Sequence, residues 1–269
     1  MTISITLLII GYIFCLPQQL FHVPYSTVVT DRNEELLGAR IASDGQWRFP
    51  PRKTTPEKIK QCLITFEDKH FYHHWGVNPL ATGRALYQNL KNKRVVSGGS
   101  TLTMQTIRLA RNKPRTLGEK VVEMIWATRL EFRASKEEIL SMYVSHAPFG
   151  GNVVGLDAAA MIHLSKGRKT LLSKRNRLLK QLLEEEIIDA STYELAVSEP
   201  LPDEPHPLPQ IAPHLVSRFY QERNGLYTRS TIDRGIQSHI ESLAERWSNE
   251  FNRSDIRNLA ILVIDIPTN

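Results

Sequence analysis

Residues 55–76 read TPEKIKQCLITFEDKHFYHHWG, and the periodicity of this stretch decides the architecture. Thr55 followed by Pro56 predicts a helix start, with a capping hydroxyl and a proline at the first turn. Ile59, Cys62, Leu63 and Phe66 then recur at i, i+3, i+4 and i+7, which places them on one buried stripe. That stripe carries Glu67 to the end of the helix, beside Asp68, His70, His73 and His74. A carboxylate held in a fixed place is what a general base requires, although a cluster of this composition is also what a surface polar network looks like.

Further along, the chain repeats the same helical grammar. GGSTLTMQ at 98–105 places two glycines and two hydroxyls ahead of a helical stretch. Free amides at a helix start take phosphate oxygens readily, and Thr101, Gln105 and Arg108 fall on one face at i, i+4 and i+7. An ordinary glycine turn with a serine cap fits the same letters. The lysine of a nucleotide-binding P-loop is missing, which disfavours ATP or GTP. Leu117, Val121, Met124, Ile125, Thr128 and Phe132 predict a further amphipathic helix, on which Lys120 and Glu123 share a face at i and i+3. Ser135 with Glu138 forms a capping box ahead of Ile139, Leu140 and Tyr143.

Charge follows the same region. The chain carries a net +6, and between Arg84 and Lys120 there are nine lysines or arginines against one acid, Glu119. Such clustering favours an anionic partner, among which phosphate-bearing substrates, acidic membranes and nucleic acid compete. Two placed glutamates and the absence of interleaved stacking aromatics argue against nucleic acid. The two cysteines, Cys15 and Cys62, are not expected to pair, since Cys15 sits in an apolar run. No CxxC or HxxxH spacing suggests a metal site made by the protein alone.

EDKHFYHHWG, GGSTLTMQ, EKVVE at 119–123 and SKEEILSMY at 135–143 stand in the order and at the spacing of the signature blocks of glycosyltransferase family 51. The chain thus resembles the glycan-polymerising part of class A penicillin-binding proteins. HAPFGGN at 146–152, Met104, KRNRLLKQL and EPLPDEPHPLPQIAPHL are most similar to the 1C branch. The resemblance implies a mainly α, lysozyme-like domain that joins a lipid-linked glycan to the 4-hydroxyl of lipid II. Undecaprenyl diphosphate leaves, with inversion. It implies Glu67 as general base and Glu123 as the glutamate assisting diphosphate departure, with a divalent cation, Mg or Mn, accompanying the diphosphate. Asp68, Ser100, Thr101, Gln105, Arg108, Arg115 and Lys120 are implied as substrate-binding. The alternatives are a lipid II-binding scaffold without turnover and a lysozyme-like hydrolase.

The expected organisation is a signal-anchor or membrane segment at 1–21, a stalk at 22–53 and the glycosyltransferase domain at 54–199. A Pro-rich linker at 200–227 follows, then a short α/β start or remnant of a transpeptidase domain at 228–269, with a strand over Ala260–Asp265. Val28, Val29 and Trp47-Arg48-Phe49 read as short strands, and one charged helical pattern runs through 171–197. No SxxK motif occurs, so penicillin binding is not expected. Against the family pattern, Val144 and Ser145 replace a leucine and an asparagine, and Met161–Lys166 stands where an aromatic and FGK are expected. The next helix of the family is missing from the sequence. The expected partners are lipid II, the growing glycan, the membrane and cell-wall synthesis proteins. The expected location is the extracytoplasmic face of the cytoplasmic membrane.

Overall fold

The computed structural model describes residues 2–52, 54–94, 98–161, 168–201, 208–261 and 263. In chain order the elements are α1 (Thr2–Phe14), β1 (Thr27–Thr30), β2 (Leu36–Arg40), β3 (Trp47–Arg48), α2 (Glu57–Glu67), α3 (Pro79–Lys91), α4 (Leu102–Arg111) and α5 (Leu117–Glu131). They continue with α6 (Lys136–His146), β4 (Pro148–Gly150), β5 (Val153–Val154), α7 (Leu156–Met161), α8 (Arg168–Glu184), α9 (Ala190–Ser198), α10 (Pro213–Glu222), β6 (Tyr227–Arg229) and α11 (Arg234–Phe251). The protein is mainly helical, as its periodicity predicts. It divides into two compact units, one of Met1–Val23 with Pro51–His206 and one of Pro24–Pro50 with Pro207–Asn269.

In the first unit the core is built on α4, α5 and α6. Leu102, Met104 and Ile107 of α4 meet Ala127 and Leu130 of α5 and Ile139 and Leu140 of α6, all essentially inaccessible to water. Each of these helices begins on a side-chain cap: Thr101 for α4, Thr116 for α5, and Ser135 in a reciprocal capping box with Glu138 for α6. α2 differs from expectation at its start, since Pro56 rather than Thr55 occupies the cap position and no side chain closes it. A proline before the helix already fixes the entry angle, so the hydroxyl is not needed.

α5 is rotated from its sequence reading, although Met124 of the expected stripe does pack against the core. Leu117, Val121, Ile125 and Phe132, expected in the core, are 86%, 56%, 45% and 60% exposed. The inward face instead carries Glu123, Ala127 and Leu130. The helix has apolar residues on two faces, and periodicity cannot tell which of two apolar stripes meets the core.

The apolar start of the chain forms α1, which at 13 residues spans about 20 Å, less than the roughly 30 Å of a bilayer core. Among the described residues no helix is long and apolar enough to cross a membrane, so the expected span at 1–21 is not met by α1. Its last turn is tied to α5, with the Tyr12 hydroxyl donating to Thr128 Oγ1 at 3.1 Å and Arg129 Nε donating to the carbonyl of Ile13 at 3.1 Å. The helical pattern expected over 171–197 is formed by two helices, parted where Glu186 takes a left-handed φ of 56° between α8 and α9, and Asp189 caps the second. Residues 162–167, where the family's missing helix would attach, lie outside the described residues.

The second unit is a three-stranded sheet in the order β2-β1-β6. β1 runs antiparallel to β2 and parallel to β6, with Val28 opposite Tyr227. Val29 and Leu37 pack against Ala212 and Val216 of α10. Gly38 is required here, since a Cβ would stand 2.9 Å from Val216 Cγ2. The expected strands at Val28-Val29 and Trp47-Arg48 are therefore present within the stretch read as a stalk. The stretch read as linker, 200–227, contains α10, because Pro213 sits in its first turn and starts a helix rather than stiffening a coil. Ala260 and Ile261 are not in a strand, and Leu262 and 264–269 lie outside the described residues.

Candidate active site

α2 ends on Glu67, and everything around it serves to fix that end. Asp68 closes the helix, its amide reaching the Ile64 carbonyl. Its carboxylate then turns inward. One oxygen, Oδ2, accepts from the backbone N–H of Leu102 at 3.0 Å and pairs with His74 Nε2 at 2.9 Å. Both side chains of the Asp68–His74 pair are only 6% exposed. Asp68 thus spends its charge on the first turn of α4, where an anion is favoured by the helix dipole.

The glycine-rich start of α4 is locked in the same way. Thr101 is the cap, accepting from Met104 N at 3.1 Å and donating to the carbonyl of Gly76 at 2.6 Å. Gly76 has φ of 82°, and a Cβ there would lie 2.5 Å from the Ala127 carbonyl oxygen. A Cβ on Gly99 would lie 2.7 Å from Thr82 Cα. Two loops are thereby pressed against α5 and α3 at positions only glycine can fill. The helix start expected to present free amides has its Leu102 and Met104 N–H groups already taken, by Asp68 and Thr101. Asp68 and Thr101 are placed as parts of the frame.

Five other residues from the sequence reading come together. Gln105 Nε2 donates to Glu67 Oε2 at 3.0 Å. One turn on, Arg108 grips Glu123 with two hydrogen bonds of 2.8 Å, from Nε to Oε1 and from Nη2 to Oε2. Nη2 also donates to Ser100 Oγ at 2.9 Å. The Glu123 hydrogen bonds push the Arg108 guanidinium above its ordinary value, so it stays charged throughout any working pH. Next along, Arg111 donates through Nε and Nη2 to Glu119 Oε2, and its guanidinium lies 4.5 Å from the ring centre of Trp126. α4 and α5 are zipped by two arginine–glutamate clamps.

Arg115 and Lys120 complete the expected set. Arg115 is exposed and Lys120 half-buried, and among the described residues neither is engaged in an ion pair. Their charge is available to an anion.

The expected divalent cation finds no ready ligand set. Among the described residues no group of three His, Cys, Asp or Glu could hold a metal ion, and both oxygens of Glu123 are occupied by Arg108. These residues do not fit a resident cation.

Tyr143, not singled out for a role in the sequence, lies behind the site. Its hydroxyl donates to Gln105 Oε1 at 3.4 Å. Burial first, and then the charge of Glu67, pushes its pKa up to about 12, with Arg108 opposing. Its place on the Ile139-Leu140-Tyr143 face is readable in the sequence; its hydroxyl partner, 38 positions away on α4, is not.

Comparison with known proteins bears on the same residues. The transglycosylase family profile matches residues 34–193, which includes every residue named for the site. Penicillin-binding protein 1C of Escherichia coli (strain K12) is 30% identical over 277 residues, covering 93% of this chain and 36% of that relative. Penicillin-binding protein 1B of Vibrio cholerae is 33% identical over 59% of this chain and 25% of its own length. Penicillin-binding protein 1A of Aquifex aeolicus is 31% identical over 54% and 24%. The chain thus spans from about a quarter to just over a third of the length of these relatives. With its motif residues gathered on α2, α4 and α5 and the family profile covering more than half of its length, the chain belongs to the transglycosylase family, the glycosyltransferase domain of class A penicillin-binding proteins.

Proposed function

We propose that this domain polymerises lipid II into glycan strands, releasing undecaprenyl diphosphate. Glu67 takes the proton from the incoming 4-hydroxyl as that oxygen attacks the anomeric carbon of the growing strand. The diphosphate leaves from the opposite face, so the configuration inverts. The observation that carries this reading is the pairing of one carboxylate held by a neutral amide, Glu67 on Gln105, with the Arg108 guanidinium one turn further along α4. Among the described residues Glu67 is seen bonded to the Gln105 amide alone, at 3.0 Å, which leaves its charge uncancelled and able to accept a proton. Arg115 and Lys120 are free to meet the negative charge that develops on the departing diphosphate. Arg108 is oriented toward the same region by Glu123 and Ser100.

A lysozyme-like arrangement of the helices and attachment at the extracytoplasmic face of the cytoplasmic membrane belong to this proposal. Leu80, Leu86 and Leu90 on α3 and Leu117 and Val121 on α5 are more than half exposed, and Leu7, Leu8 and Phe14 on α1 likewise. Exposed apolar helices on a basic protein suit a lipid surface, where a lipid-linked substrate resides. A divalent cation enters this scheme only as a companion of the diphosphate, and no step depends on it.

The deciding experiment is polymerisation of purified lipid II by the protein and by its Glu67→Gln variant, read as glycan length on a gel. Polymer from the first and none from a normally folded variant is the expected result. Equal polymer from both would remove Glu67 from the mechanism. Fragments released from finished peptidoglycan would assign cleavage instead.

A further inference from the structure

Glu67 does not stand alone on Gln105, because the far end of that amide is itself held. Tyr143 on α6 donates its hydroxyl to Gln105 Oε1, and Gln105 Nε2 donates to Glu67 Oε2, at 3.4 and 3.0 Å. The three groups form one directed chain from α6 through α4 to the end of α2. We propose that Tyr143 is a positioning residue for the general base, acting through Gln105 to hold the amide with its N–H toward Glu67. This rests on Glu67 being the base.

An amide has two ends of similar shape and opposite character. An ionised carboxylate only accepts, so it selects the N–H end unaided. Once Glu67 has taken a proton it can donate, and an amide turned over would then offer it a carbonyl. That flipped pair stabilises the protonated glutamate and delays its return to the working form. A hydroxyl donating to Oε1 from behind opposes the turn. Tyr143 suits the task because it stays protonated: burial and the Glu67 charge raise its pKa to about 12, and its ring is packed against the core of Leu102, Ile139 and Leu140. No other side chain is seen bonded to Gln105 Oε1 among the described residues.

The test is Tyr143→Phe, which keeps the ring and removes only the hydroxyl. Polymerisation of lipid II is expected to lose about tenfold in kcat, the rate equivalent of one hydrogen bond, with KM unchanged. In a Gln105→Ala background the same change is expected to alter kcat by less than about twofold, since its only route to the base is gone. Equal losses in both backgrounds would overturn the proposal, since the Tyr143 hydroxyl would then act independently of Gln105. A second measurement needs no turnover. Hydrogen exchange of the Gln105 side-chain amide, followed by NMR in 15N-glutamine-labelled protein, is expected to speed up several-fold in Tyr143→Phe. Unchanged exchange would sink the proposed link. A wild-type protein that makes no polymer would instead sink the functional reading, while the exchange rates still decide whether Tyr143 holds the amide.

Discussion

Two glutamates stand about one helix turn of α4 apart in their partners, and the fold treats them in opposite ways. Glu67 is half-buried and held by a neutral amide. Glu123 is buried to 6% exposure and clamped by the Nε–Nη2 edge of an arginine. A neutral donor orients a carboxylate without cancelling its charge, whereas a bidentate guanidinium cancels it and takes both acceptor oxygens. Under the proposed function the first arrangement suits a base, and the second holds Arg108 in place. Two acids in one site thus divide the work by what grips them, and the sequence spacing of the acids says nothing about which is which.

The largest effect that sharpens this contrast is expected from Glu67→Gln. Rate should fall by about 10²- to 10⁴-fold, the range of a lost general base, with thermal unfolding little changed. A large stability loss from that variant would mean that Glu67 is structural and the contrast false. Glu123→Gln should act on both observables. Its amide can receive one arginine hydrogen bond but not two, so polymerisation should drop by about 10- to 100-fold and the melting temperature should fall as well, by a few degrees. If Glu123→Gln lost rate as steeply as Glu67→Gln with no stability change, Glu123 would be touching the reaction itself.

Arg108→Lys keeps the charge and discards the fork. KM for lipid II and kcat should together worsen by about tenfold, because a lysine cannot bridge Ser100 and Glu123 at once. The smallest effect is expected at the neighbouring clamp. The Arg111 hydrogen bond holds the Glu119 carboxyl below its ordinary value. Its contribution to stability is therefore fully present above the usual carboxylate pKa of about 4.3 and is lost as pH falls through the lower folded value. Glu119→Gln should lower the melting temperature at neutral pH, and the difference from wild type should shrink below about pH 4. Polymerisation at neutral pH should be untouched.

How much of this was legible beforehand varies by element. α2 could be read through to Glu67, since one stripe and one direction define it, and the Ser135–Glu138 capping box is a purely local signal. α5 could not be oriented, because its exposed Leu117, Val121 and Ile125 form as good a stripe as its core residues. Within the site the residue types were readable and their partners were not. Thr101 reads as a phosphate donor in sequence, yet its hydroxyl is spent on Gly76 across 25 positions of chain. The parallel pairing of β1 with β6 joins segments nearly two hundred residues apart, and nothing local to Val28 or Tyr227 announces it. Short-range capping and periodicity are written in adjacent letters; long-range hydrogen bonds are settled only when the helices meet.

The Asp68 carboxylate has one more implication. It follows Glu67 directly in the chain and is fastened to the leading amide of α4, the helix that carries Gln105 and Arg108. Under the proposed function, proton acceptor and anion grip are therefore tied to a common pivot. A small molecule wedged beneath that first turn would misalign both halves of the machinery at once, while never entering the space where the sugars react.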